Sequence, residues 1–208
     1  MTQQLQGSFK SLENRIDERT FELVKANQEL QLISYVDGLT QVANRRYFDR
    51  YLEQEWHRLA REKKPVSIVL CDVDFFKKYN DYYGHQAGDR CLQRIAYLLS
   101  KAVQRPADLV ARYGGEEFVL LLSDTDTSGA ILVAQNILET LREMRIPHVP
   151  SDKQQVSVSL GIGTIIPDAQ LLPESLLAAT DVALYAAKAQ GRDRYEVADN
   201  PPTHRLNP

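Results

Sequence analysis

The stretch RYGGEEFVLLL, Arg112 to Leu122, restricts the fold more than any other part of the chain. Phe118–Leu122 is an unbroken apolar run of strand length, and Leu109–Tyr113 before it reads as a second strand. With Gly114 and Gly115 between them, the two fold back on each other as a hairpin. The turn then carries Glu116 and Glu117 to the mouth of the core, two like charges side by side that repel unless something positive is brought to them. A second apolar run, VSIVLCDVD (Val66 to Asp74), is near-continuous and β-branched, the pattern of a central strand, and it too ends in carboxylates, Asp72 and Asp74.

Helical spacing fills the intervals. A helix capped by Asn44 runs through Phe48, Leu52, Trp56 and Leu59 and stops before Pro65. FFKKYNDYYGHQAGD reads as a loop with one helical turn, bent at Gly84 and Gly88, followed by a helix over Arg90–Val103. A further helix is predicted over about 128–145, then a strand, Val156–Ile165. Pro173 opens a last helix to about Gln190, Gly191 stops it, and a final strand begins near Tyr195. A hairpin in the middle of alternating β and α units predicts an α+β fold, a ferredoxin-like or palm-type central antiparallel sheet (a split βαβ arrangement) with helices covering one face. Residues 1–35 differ: Leu5, Phe9, Leu12, Ile16, Leu23, Ala26, Leu30 and Ile33 fall at alternating spacings of three and four, broken at Arg19. That is a heptad seam, which predicts a long signalling coiled-coil helix ended by Gly38, ahead of a globular domain over 36–198 and a disordered tail over 199–208.

Composition narrows the function classes. A chain of 208 residues with 43% hydrophobic and 25% charged residues builds a core, and a net charge of −3 argues against a general nucleic-acid binder. Cys71 and Cys91 are the only cysteines; without a Cys/His cluster they read as reduced, buried thiols rather than zinc ligands. No apolar run nears the ~18 residues of a membrane span, so a soluble, cytoplasmic chain is expected.

In a split βαβ sheet the end of the Val66–Asp74 strand and the Gly114–Gly115 turn are neighbours, so Asp72, Glu116 and Glu117 converge. Carboxylates gathered without His or Cys suit Mg²⁺ or Mn²⁺, and such a site serves in-line displacement at phosphorus. A solvated acidic turn is the bland reading of the same glutamates. GxxxxGK[ST] and GxGxxG are both absent, which excludes the usual phosphate loops. Lys77, near the first carboxylate, and Lys188 with Arg192, one helical turn apart, are the candidate phosphate partners.

RYGGEEF, together with DGLTQVANRR, CDVDFFKKYND, GHQAGD, VSLGIG and ALYAAKAQGRDRY, strongly resembles the GGDEF diguanylate cyclases over about residues 35–197. The resemblance implies an enzyme that joins two GTP into cyclic di-GMP, releases two pyrophosphates and shares its active site across a homodimer. It implies two Mg²⁺ (or Mn²⁺) per site, held by Asp72, the carbonyl of Val73 and Glu116. Glu116 is also the implied base for the ribose 3′-hydroxyl, and Glu117 the second acid of the signature. Asn80 and Asp89 resemble the guanine readers; an Asp carboxylate accepts from guanine N1–H and the 2-amino group together, a pair adenine lacks. Lys77, Lys188 and Arg192 resemble triphosphate contacts, and Phe75, Phe76 and His85 pocket walls. RPAD, Arg105 to Asp108, resembles the RxxD product-inhibition site, with cyclic di-GMP as allosteric inhibitor and Arg142 or Arg145 as its possible further arginine. The departures are Glu for Asp in the signature, Asp193 where Asn is usual and Thr180 where Ala is usual. Dimerisation through the N-terminal coiled coil, driven by an upstream sensor domain in a longer protein, follows from the same likeness. The alternatives are a non-catalytic receptor of cyclic di-GMP or GTP, and a coiled-coil scaffold signalling by contact.

Overall fold

The computed structural model describes residues 35–103, 105–168 and 170–199. The chain divides into two units, Met1–Val36 and Asp37–Pro208, and every described helix and strand belongs to the second. All but the last residue of the expected coiled coil and all but the first residue of the expected tail lie outside the described residues. The elements run β1 (Ala43–Asn44), α1 (Arg45–Glu62), β2 (Val66–Val73), α2 (Phe76–Tyr83), α3 (His85–Ala102), β3 (Leu109–Gly114), β4 (Glu117–Ser123), α4 (Thr127–Glu143), β5 (Val158–Ile165), α5 (Pro173–Ala189) and β6 (Tyr195–Val197).

The six described strands form one sheet in the order β1-β3-β4-β2-β5-β6. The four central strands are antiparallel, as expected, and the short outer strands β1 and β6 add parallel edges. Helices cover both faces rather than one. Val69, Cys71 and Val73 of β2 pack with Phe118, Leu120 and Leu122 against α3 and α4. Val66, Ile68 and Leu70, pointing the other way, pack with Val119 and Leu121 against α1 and α5. The pleat sends alternate residues of a strand to opposite faces, so a strand apolar at nearly every position is buried on both.

Local signals set the helix ends. The Asn44 side chain accepts from the Tyr47 N–H at 3.0 Å, capping α1, and Pro173 starts α5. α3 begins at His85, not Arg90, and Gly88 lies within it. Trp56 Nε1–H reaches from α1 to the Leu171 carbonyl at 3.2 Å, fixing the chain ahead of α5. Cys71 and Cys91 are buried free thiols. No described helix is long and apolar enough to cross a membrane.

The loop after α4 seats His148, 1% exposed, with its ring edge-on to Tyr79 and Nε2 3.3 Å from the Phe75 carbonyl. Burial pushes its pKa below the usual 6.5. A base whose native pKa is depressed gives its stability above the unfolded value, and the native state loses ground as pH falls through it. Thermal melting should therefore drop between pH 7.5 and pH 5.5, and His148→Gln should flatten that slope. An identical pH slope in the two proteins counts against the assignment.

Candidate functional site

The site is built at one end of β2 and β4. Antiparallel register sets Asp72 directly across from Glu117, and the Val73 N–H faces the Glu116 carbonyl at 3.4 Å. The β3–β4 turn is what allows this: Gly115 sits at φ +52, and the hairpin register shifts between Arg112 and Gly114. Arg112 braces the turn, donating from Nε to the Gly115 carbonyl at 2.9 Å and pairing through Nη1 with Asp37 at 3.2 Å. The two acidic strand ends are thus neighbours, with Asp72 and Glu117 as register partners.

Lys188, near the end of α5, places Nζ 2.8 Å from Asp72 Oδ2. Burial pushes the Asp72 carboxyl up, the Lys188 ammonium pulls it back, and Glu116 and Glu117 push it up again. The surroundings therefore favour added positive charge. Among the described residues no group of three or more His, Cys, Asp or Glu is gathered to hold a metal unaided. The donor chemistry fits a hard divalent cation nonetheless: two carboxylates and a main-chain carbonyl, leaving places for water or phosphate oxygens, which is how Mg²⁺ is usually held.

Arg192 is not on the same helix as Lys188. It follows Gly191 in a left-handed turn, φ +60, with its guanidinium over the Phe75 ring at 4.4 Å and 4.0 Å from Asp74 Oδ1. Lys77 is exposed on α2. The other side of the site lies between α2 and α3. Asn80 Oδ1 is buried and has no hydrogen-bond partner among the described residues. Asp89 and His85 are exposed on the first turns of α3, and Phe76 is buried and stacked on Tyr79. Gly88, which the sequence reading assigned only to a bend, packs against Asn80 from within α3. A methyl there would lie 1.9 Å from Asn80 Oδ1 and 3.1 Å from the Phe76 ring, so its lack of a side chain makes room for the asparagine.

The RPAD turn lies elsewhere, ahead of β3. Arg105 Nη1 donates to Thr125 Oγ1 at 3.1 Å, and Asp108 Oδ1 accepts from the Ser123 N–H at 3.1 Å. Burial raises the Asp108 carboxyl, partly offset by that N–H and by Arg105. The Ser123 hydroxyl bridges the Glu55 carboxylate on α1 and the Ala107 carbonyl, tying the turn to α1. Arg142 does not join it. It sits near the far end of α4, roughly 22 Å along the helix from Thr127, and pairs with Asp193. Arg145 lies past that end, exposed.

Comparison with known proteins finds relatives of the chain by sequence and by fold. The family described as "Diguanylate cyclase, GGDEF domain" matches residues 34–194. The probable diguanylate cyclase DgcC of Escherichia coli K12 is 34% identical over 176 residues, covering 85% of this chain and 46% of the relative. Diguanylate cyclase A of Treponema denticola is 34% identical over 177 residues, covering 84% of this chain and 47% of the relative. The chain thus spans about half the length of these curated relatives. The coiled coil and GGDEF domain of DgcB from Caulobacter crescentus, solved in complex with c-di-GMP, superposes with a TM-score of 0.72 at 29% identity, covering 90% of this chain and 100% of that one.

Proposed function

The chain belongs to the diguanylate cyclase GGDEF-domain family, and from that premise we propose that it condenses two GTP into cyclic di-GMP and two pyrophosphates. One observation carries the reading: the register that sets Asp72 opposite Glu117 and beside the Glu116 backbone, with Lys188 already paired to Asp72. In each half-reaction the 3′-oxygen of one GTP attacks the α-phosphorus of the other. A new P–O bond forms, the bond to pyrophosphate breaks in line with it, and Glu116 takes the hydroxyl proton. Mg²⁺ or Mn²⁺, two per site, held by Asp72, Glu116 and the Val73 carbonyl, would neutralise charge on the phosphates. Lys188, Arg192 and Lys77 bind the triphosphate. Asn80 and Asp89 read guanine; an adenine would leave their acceptors unpaired, at a cost of roughly 1–3 kcal/mol. Phe75, Phe76 and His85 wall the base pocket, and Glu117 supplies the second acid of the turn.

Closing the ring needs a second GTP-loaded domain facing the first, so the working unit is a homodimer. Residues 1–35 form its coiled coil, 36–198 the catalytic domain and 199–208 a tail. An upstream sensor acts through that helix, in the cytoplasm where GTP is made. Incubation of the purified chain with GTP and Mg²⁺, following pyrophosphate and cyclic dinucleotide, tests the reading, with ATP as control. GTP binding without turnover favours the receptor alternative instead.

Arg105 and Asp108 offer an Arg fork and a carboxylate to a phosphate and a guanine edge, so added cyclic di-GMP should inhibit. Arg105→Ala should raise the half-inhibitory concentration about tenfold or more, since it removes one charge-assisted contact. Unchanged inhibition in initial-rate assays would place the inhibitory contact elsewhere.

A further inference from the structure

Two carboxylates pin the turn that carries Arg192. Asp74, at the end of β2 and 2% exposed, accepts from Ser159 Oγ at 2.6 Å, Ser157 Oγ at 2.7 Å and the Asp193 N–H at 3.1 Å. The Asp193 carboxylate is nearly as enclosed, with its side chain 8% exposed. It is gripped by Arg142 of α4, whose Nε lies 3.2 and 3.3 Å from its two oxygens, and by Lys153 Nζ from the loop before β5. Arg142 Nη2 also donates to the Asp193 carbonyl at 2.8 Å. Arg192 and Asp193 both have positive φ, +60 and +52, a conformation non-glycine residues hold only when their surroundings impose it.

We propose that Arg142 and Lys153 are positioning residues for nucleotide binding: by neutralising Asp193 they keep the Arg192–Asp193 turn docked on Asp74 and so keep Arg192 aimed at the triphosphate. This rests on the cyclase reading above. Neither cation touches substrate; each acts through the turn. An enclosed carboxylate stripped of its cations is driven toward water, and the route open to Asp193 is to unwind its strained turn, taking Arg192 with it. Lys188 is held by α5, so the loss falls on one phosphate contact and not on the Asp72 end of the site.

The test uses the full chain, with steady-state kinetics in GTP and Mg²⁺ and calorimetric binding of α,β-methylene-GTP, whose P–C–P link blocks pyrophosphate departure. The double variant Arg142→Ala/Lys153→Ala should raise KM for GTP and weaken analogue binding about tenfold, with kcat moving far less. Adding Asp193→Asn removes the stranded charge and should restore KM to within about threefold of wild type. Gln135→Ala cuts the α4–β6 bond to the Tyr195 hydroxyl without touching Asp193, so it controls for a loosened seam and should leave KM in place. Should the double variant not fold, as judged by circular dichroism, Arg142→Ala alone is expected to show the same split at about threefold. An unchanged KM, a KM that Asp193→Asn does not restore, or an equal rise in Gln135→Ala overturns the proposal. A wild-type chain that neither binds the analogue nor turns over GTP overturns the cyclase reading and this inference with it.

Discussion

Replacing Asp72 with Asn is expected to cut cyclic di-GMP formation by ~10³-fold or more while leaving the domain folded, since the lost carboxylate would hold the divalent cation that neutralises charge developing on phosphate. The stability effect should run the other way from the activity effect. Burial, Glu116 and Glu117 raise the Asp72 carboxyl above its ordinary 3.8, with Lys188 opposing them. A carboxyl raised in the native state favours folding while protonated, below the unfolded value, and that contribution is lost as pH rises through the native value. Asn keeps the neutral form at every pH. Its partner Lys188, with 29% of its side chain exposed, is free to turn to water. Thermal melting at neutral pH should then show a Tm no lower than wild type, alongside a pyrophosphate-release rate near background. A variant keeping a tenth of the wild-type rate, or melting well below wild type, contradicts the site as built.

Gly161→Ala should have the largest effect on stability. A methyl at Gly161 would lie 2.3 Å from the Thr180 carbonyl oxygen, 2.5 Å from the Leu184 nitrogen and 2.9 Å from its Cα. All three are backbone of α5, so no side chain can swing aside and the helix has to lift from β5. The inner face of that helix is small at Ala179, Ala183 and Ala187, which shows how closely it lies on the sheet. Overpacking of this kind costs about 3 kcal/mol or more, a Tm drop of roughly 6–12 °C for a domain of this size. Because α5 also delivers Lys188, activity should fall with it. Gly163 differs in kind: its methyl would meet Thr180 Oγ1 at 2.2 Å and Leu176 Cδ1 at 3.0 Å, both side-chain atoms. Gly163→Ala should therefore be milder and largely relieved by Thr180→Ala. Equal melting of Gly161→Ala and wild type would show that α5 packs less tightly than described.

The antiparallel centre of the sheet was legible because β2, β3 and β4 are apolar runs bounded by turn residues, and the carboxylate pairing followed from the hairpin's place beside β2. The second helical layer was legible in principle. VSIVLCDV has almost no polar position to give to solvent, yet the expectation of one covered face did not use that. β1 spans Ala43–Asn44 alone, too short for periodicity to register. Gly88 read as a bend because glycine usually breaks helices, whereas here its missing side chain serves Asn80 across the α2–α3 contact. The grip of Arg142 and Lys153 on Asp193 joins residues 51 and 40 positions apart, and no local pattern announces such a pair. Lys188 and Arg192 stand one helical turn apart by spacing, but Gly191, at φ +109, stops the helix between them, as its place in the sequence predicts.

The glycines of this domain answer to two different masters. Those at 88, 161 and 163 are demanded by the protein's own interior, where an added methyl meets protein atoms at once. Around Gly114 a methyl would find nothing within 4 Å, and its backbone lies outside the left-handed region. Folding alone would accept alanine at 114. Any intolerance there has to be imposed by something that arrives from outside the chain and needs bare backbone to approach. Foldedness and function part company at that residue, and a library sorted first for one and then for the other would test whether the proposed phosphate approaches the turn there.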